Sequence, residues 1–129
     1  MDINTVFNGI SINAKFNKGI TYLRGYSGMG KTLLLSAIEL YCRNQGIRCY
    51  LCDYHAQDLS EEQICAICSG MQVLLLDNAD LYLTPELLEK LKCTNYVIIS
   101  MKHLFGFDLF SSTSCLVHYN NKQLTLEEF

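Results

Sequence analysis

The stretch I-T-Y-L-R-G-Y-S-G-M-G-K-T over residues 20–32 leaves this chain few folds to choose from. A short apolar run leads into Gly25, Gly28 and Gly30, and Lys31-Thr32 then opens a leucine-rich segment. Gly25–Thr32 fits the phosphate-binding pattern G-x-x-x-x-G-K-[ST] (Walker A) without a mismatch. Glycines let the backbone take positive φ angles and approach a phosphate closely. Successive amide N–H groups then make a concave anion nest, and the helix N-terminus adds its positive dipole. Gly25, Tyr26, Ser27, Gly28, Met29, Gly30, Lys31 and Thr32 are therefore the candidate nucleotide-binding residues. The Lys31 ammonium can reach phosphate oxygens, and the Thr32 hydroxyl can ligate Mg²⁺.

The rest of the chain alternates strand and helix patterns, the sign of a parallel sheet flanked by helices. Residues 10–16 alternate as an antiparallel edge strand, and residues 20–24 feed the glycine loop. A helix runs from Lys31 to about Gln45 and stops at Gly46. Residues 47–52 form the next strand, and Ser60 with Gln63 makes a capping box for a helix ending near Gly70. Thr84-Pro85 is an N-cap and first-turn pair for a helix to about Lys92. Residues 96–100 form an apolar strand with a polar tip, and residues 115–119 and 123–126 form a hairpin turning at Asn120-Asn121. Residues 1–129 read as one domain.

Val73-Leu74-Leu75-Leu76-Asp77 is a buried parallel strand ending in a carboxylate. Ligands in open α/β sheets sit beyond the carboxyl ends of the strands. Asp77 and the Gly25 loop therefore project into one crevice, with Asp77 holding Mg²⁺ opposite Thr32.

Together the two motifs resemble those of the phosphate-loop NTPases, with Val73–Asp77 as Walker B. The chain is most similar to the branch with an extra strand between the two motif strands, as in AAA and ABC-type ATPases. F-N-G-I-S-I-N-A-K-F-N-K-G-I-T-Y-L-R-G-Y-S-G-M-G-K-T-L-L-L is similar to the opening of an ABC-type nucleotide-binding domain. The resemblance implies a three-layer P-loop NTPase fold: a mostly parallel sheet, helices on both faces and a C-terminal β-hairpin. It also implies ATP and Mg²⁺ as cofactors and catalytic roles for Lys31, Asp77 and Ser100, to which Asn78 and Asp80 are added as candidates from their position after Asp77. Ser100 would sense the γ-phosphate or orient water, or simply end its strand.

Departures from the family pattern shift the expectation from turnover towards binding. Only residues 33–72 separate the motifs, and no L-S-G-G-Q signature is present. Where the family places its catalytic Glu, this chain has Asn78, which can orient a water but cannot accept its proton. Asp80 can polarise water instead, or cap a loop. The switch His expected at 101 is Met101, and His103 is out of register. No arginine is placed as a finger, so a protein partner or self-association is the expected source of one. The expected function is Mg-dependent ATP binding with weak or partner-stimulated hydrolysis. The alternative is a nucleotide-gated interaction module that does not hydrolyse. No N/T-K-x-D guanine signature is present, which favours ATP over GTP.

With a net charge of −3 and only Arg24, Arg43 and Arg48 as arginines, the chain carries no nucleic-acid footprint. The opening residues show no signal pattern and no apolar run spans a bilayer, so the expected location is cytoplasmic. Cys49-x-x-Cys52 and Cys65-x-x-Cys68 have a zinc-like spacing. Residues three apart in a strand face opposite sides, however, which favours buried thiols. Phe7 and Tyr26 are candidates to stack on an adenine, or are ordinary core or surface aromatics.

Overall fold

The computed structural model describes residues 1–25, 30–102, 106–107 and 110–128. Eight strands form one sheet: β1 (Asp2–Phe7), β2 (Ile10–Lys15), β3 (Gly19–Arg24), β4 (Cys49–Cys52), β5 (Val73–Leu76), β6 (Tyr96–Ser100), β7 (Ser112–Asn120) and β8 (Gln123–Glu128). Three α-helices accompany them among the described residues: α1 (Lys31–Asn44), α2 (Glu61–Cys68) and α3 (Pro85–Leu91). The strand order is β1-β2-β8-β7-β3-β6-β5-β4.

This architecture corrects the expected three-layer fold: eight strands in one mixed sheet are accompanied by only three described α-helices, one on one face and two on the other. A curled, mixed sheet dominates the molecule. Antiparallel hairpins β1–β2 and β7–β8 lie side by side through a parallel β2–β8 contact. They add four strands without adding a described helix. The parallel run extends from β7 through β3, β6 and β5 to β4. Both edge strands, β1 and β4, touch α1, so the sheet wraps around that helix. The physical reason for the difference lies at the start of the chain. Asn8-Gly9, with φ of 50° and 75°, makes a tight turn that pairs residues 2–7 with residues 10–15. Residues 10–15 are thus interior to the sheet, and β1 is its edge.

Apolar residues separate onto two clusters by the two-residue period of the strands. Val73 and Leu75 face α1 residues Leu34, Leu35, Ile38 and Cys42, joined by Ile3, Ile12 and Phe16. Leu74 and Leu76 face Ile64 of α2 and Leu87, Leu88 and Leu91 of α3. The local helix signals all form. Ser60 and Gln63 make both bonds of the capping box, and the Thr84 hydroxyl accepts from the Leu87 N–H at 3.1 Å. The turn between β7 and β8 falls at Asn121 and Lys122, where φ is 51° and 58°.

Tyr22 is 3% exposed in the second cluster, and its hydroxyl lies 3.5 Å from the Phe107 carbonyl oxygen. Burial raises its phenol from 10.0 to about 12. A folded value above the unfolded one gives stability that is complete below about pH 10 and lost as the pH rises towards 12. Tyr22→Phe is expected to remove about 2 kcal/mol of that alkaline loss. Urea midpoints measured from pH 9 to 12 check this, and an unchanged slope for the variant would contradict it.

Candidate functional site

Lys31 and Thr32 open α1, whose N-cap is Gly30 at φ 90°, ψ 14°, with no side-chain capping bond. A β-carbon at Gly30 would sit 3.1 Å from Leu124 Cδ1, so the β7–β8 hairpin buttresses the end of the glycine loop. The Lys31 ammonium donates to the Gly25 carbonyl oxygen at 2.8 Å, bridging the two ends of the loop. Tyr26, Ser27, Gly28 and Met29, which the sequence also assigns to phosphate binding, lie outside the described residues, as does His103.

Asp77 follows β5 and is 4% exposed. Its Oδ2 accepts from the Thr32 hydroxyl at 3.1 Å, and its Oδ1 accepts from the Asn78 N–H at 3.0 Å. Backbone bonds fix the strand end. The Asp77 N–H donates to the Cys52 carbonyl oxygen at 2.8 Å, and the Tyr82 hydroxyl donates to the Asp77 carbonyl oxygen at 2.7 Å. Burial, then the nearby Cys52 thiol and Asp77 carboxylate, push the Tyr82 phenol well above its ordinary value and keep it a donor. Asn78 takes the left-handed conformation at φ 50°, a turn that asparagine tolerates well.

Thr32 and Asp77 therefore meet although they lie on different elements. Together they present two hard oxygen donors, a hydroxyl and a buried carboxylate, which is the donor chemistry Mg²⁺ takes. A cavity of about 290 Å³ opens beside them, lined by Lys31, Thr32, Asp77, Asn78, Asp80 and Ser100, with Gly30, Leu33, Met101 and Lys102. Ser100 ends β6 and is 6% exposed. Asp80 lines the cavity, and its Oδ2 accepts from the Lys102 N–H at 2.6 Å. A larger groove of about 560 Å³ lies at the start of β3, beside Pro85, Glu86 and Glu89 of α3. Lys92 also lines it, and a recess of about 500 Å³ elsewhere is lined by Arg48 and Lys90, but neither borders Lys31, Thr32 or Asp77, so the smaller cavity is the functional candidate.

Sequence reasoning overlooked Lys102. Its only signal is a cation two residues beyond the polar tip of a strand next to β3 and β5. Phe7 packs against the α1-side cluster and lines a recess with Val6, Leu40 and Tyr41. Cys49 and Cys52 fall on opposite faces of β4. Cys49 meets Cys42 of α1, and Cys52 meets Cys68 of α2. The partner thiol, then burial, push Cys49 and Cys52 far up from their ordinary values. Among the described residues no three His, Cys, Asp or Glu side chains converge as a metal cluster. No described helix is long and apolar enough to cross a membrane.

No family model matches the chain, and no curated protein matches it in sequence. Among solved structures, a DNA replication initiation factor is similar at TM-score 0.54 and 19% identity, over 67% of this chain and 32% of that one. AMPPCP-bound DnaA from Aquifex aeolicus is similar at TM-score 0.49 and 19% identity, over 76% of this chain and 36% of that one. The chain spans about a third of the length of these two proteins. In coarse outline, the first likeness supports a phosphate-loop NTPase-like fold.

Proposed function

We propose that this chain binds Mg·ATP in the cavity between the Gly25–Thr32 loop and Asp77, and hydrolyses it slowly or only with a partner. One observation carries the proposal: the Thr32 hydroxyl and the buried Asp77 carboxylate meet at 3.1 Å, beside Lys31, at the mouth of α1. Bound there, Mg²⁺ would neutralise phosphate charge and orient the γ-phosphate. Lys31, freed from Gly25, would donate to phosphate oxygens. The α1 N-terminus, capped by no side chain, would add its N–H groups. Ser100, at the tip of the strand between the two motif strands, would hydrogen-bond a terminal phosphate or a water.

A second reading, a nucleotide-gated module without turnover, is favoured by two observations. The position after Asp77 is an amide, and the Asp80 carboxylate is engaged with the Lys102 N–H. Phosphate release measured with Asp77→Asn as control separates the readings. The enzyme reading expects Mg-dependent release that falls at least about tenfold in the variant. Binding of Mg·ATP with no release, alone or with a partner, would select the module.

A further inference from the structure

We propose that Lys102 is a second phosphate-binding cation, acting from the same chain and held over the site by Asp80. The proposal rests on the nucleotide-site reading and extends it to the group that meets the terminal phosphate. β6 lies between β3, which feeds the glycine loop, and β5, which ends in Asp77. Leu23 is paired with Ser100, so Lys102 follows two residues after the end of the strand that runs beside the one feeding the glycine loop. Lys102 lines the same cavity as Lys31, Thr32 and Asp77, and it is exposed.

The Asp80 bond to its backbone N–H, 2.6 Å long, is short even for a charge-assisted bond. That bond fixes where the side chain departs from the backbone and leaves the ammonium to point elsewhere. Charge balance gives the ammonium its task. Asp77 and Asp80 offset Lys31 and Lys102 within the lining, so the cavity is near neutral before ligand enters. A nucleoside triphosphate brings about four negative charges and Mg²⁺ offsets only two of them, so a second lining cation besides Lys31 stabilises the third phosphate most. Lys102 would thus occupy the place of the arginine that the sequence lacks, and would distinguish triphosphate from diphosphate.

Calorimetric titration of the full chain with a non-hydrolysable Mg·ATP analogue and with Mg·ADP tests this in the unsubstituted protein, Lys102→Ala and Lys102→Arg. Lys102→Ala is expected to weaken the triphosphate about tenfold while leaving the diphosphate within about twofold. Lys102→Arg should restore most of the loss, which a purely structural role would not produce. Equal affinities in the alanine variant and the unsubstituted chain would overturn the role of Lys102 and leave the nucleotide site standing. A parallel loss for both nucleotides would also overturn it. No binding of either nucleotide by the unsubstituted chain would overturn both proposals.

Discussion

Replacing Lys31 with alanine is expected to lower affinity for Mg·ATP about a hundredfold, with little change in folding stability. Lys31 is only half-buried, and its one observed bond, to the Gly25 carbonyl oxygen, lies at the rim of the site. Removing it leaves no buried charge behind. In the complex it would make two charge-assisted bonds to phosphate oxygens. Each such bond contributes about 1.5 kcal/mol or more, and every 1.4 kcal/mol is about tenfold in binding. The control is thermal melting, where the midpoint should move by less than about 3 °C. Unchanged nucleotide affinity in a well-folded Lys31→Ala protein would contradict the assignment of this loop to phosphate binding.

The largest loss of stability is expected from Leu75→Ala. Leu75 is fully buried at the centre of β5, facing Leu34, Leu35 and Ile38 of α1. It is paired on both sides, with Leu51 of β4 and Ile98 of β6, so the surroundings cannot collapse into the gap. Truncating such a leucine costs about 3–5 kcal/mol, the lost transfer energy plus the cavity left behind. Urea denaturation should show that loss as a lower midpoint with an unchanged slope. A loss below about 1 kcal/mol would mean that β5 is not packed between its neighbours and α1 as described.

Much of the site was legible because its signals are local. The glycines before Lys31, the carboxylate after Leu76 and the caps at Ser60 and Thr84 each declare themselves within a few residues, and each of the described ones lies where its pattern requires. What failed was long-range or subtle. Residues 2–7 alternate weakly, and the Asn8-Gly9 turn that pairs them with β2 went unused as a hairpin signal. The parallel pairing of residues 11–13 with residues 123–125 joins opposite ends of the chain and leaves no trace in either segment. These two omissions turned a curled, mixed sheet into an expected three-layer fold. The bond from the Lys102 N–H to Asp80 was equally illegible, because it joins residues 22 apart in two separate segments. The cysteine spacing shows the opposite lesson. Period-2 geometry alone separated Cys49 from Cys52, and the structure gives each a different thiol partner.

The central claim is that Thr32 and Asp77 meet in order to hold the metal of a bound nucleotide. Its most direct test is calorimetric titration of the full chain with a non-hydrolysable ATP analogue, with Mg²⁺ and again in excess EDTA. The account predicts one site per chain with Mg²⁺ and at least about tenfold weaker binding without it. Affinity that is the same with and without Mg²⁺, or no binding under either condition, would contradict it.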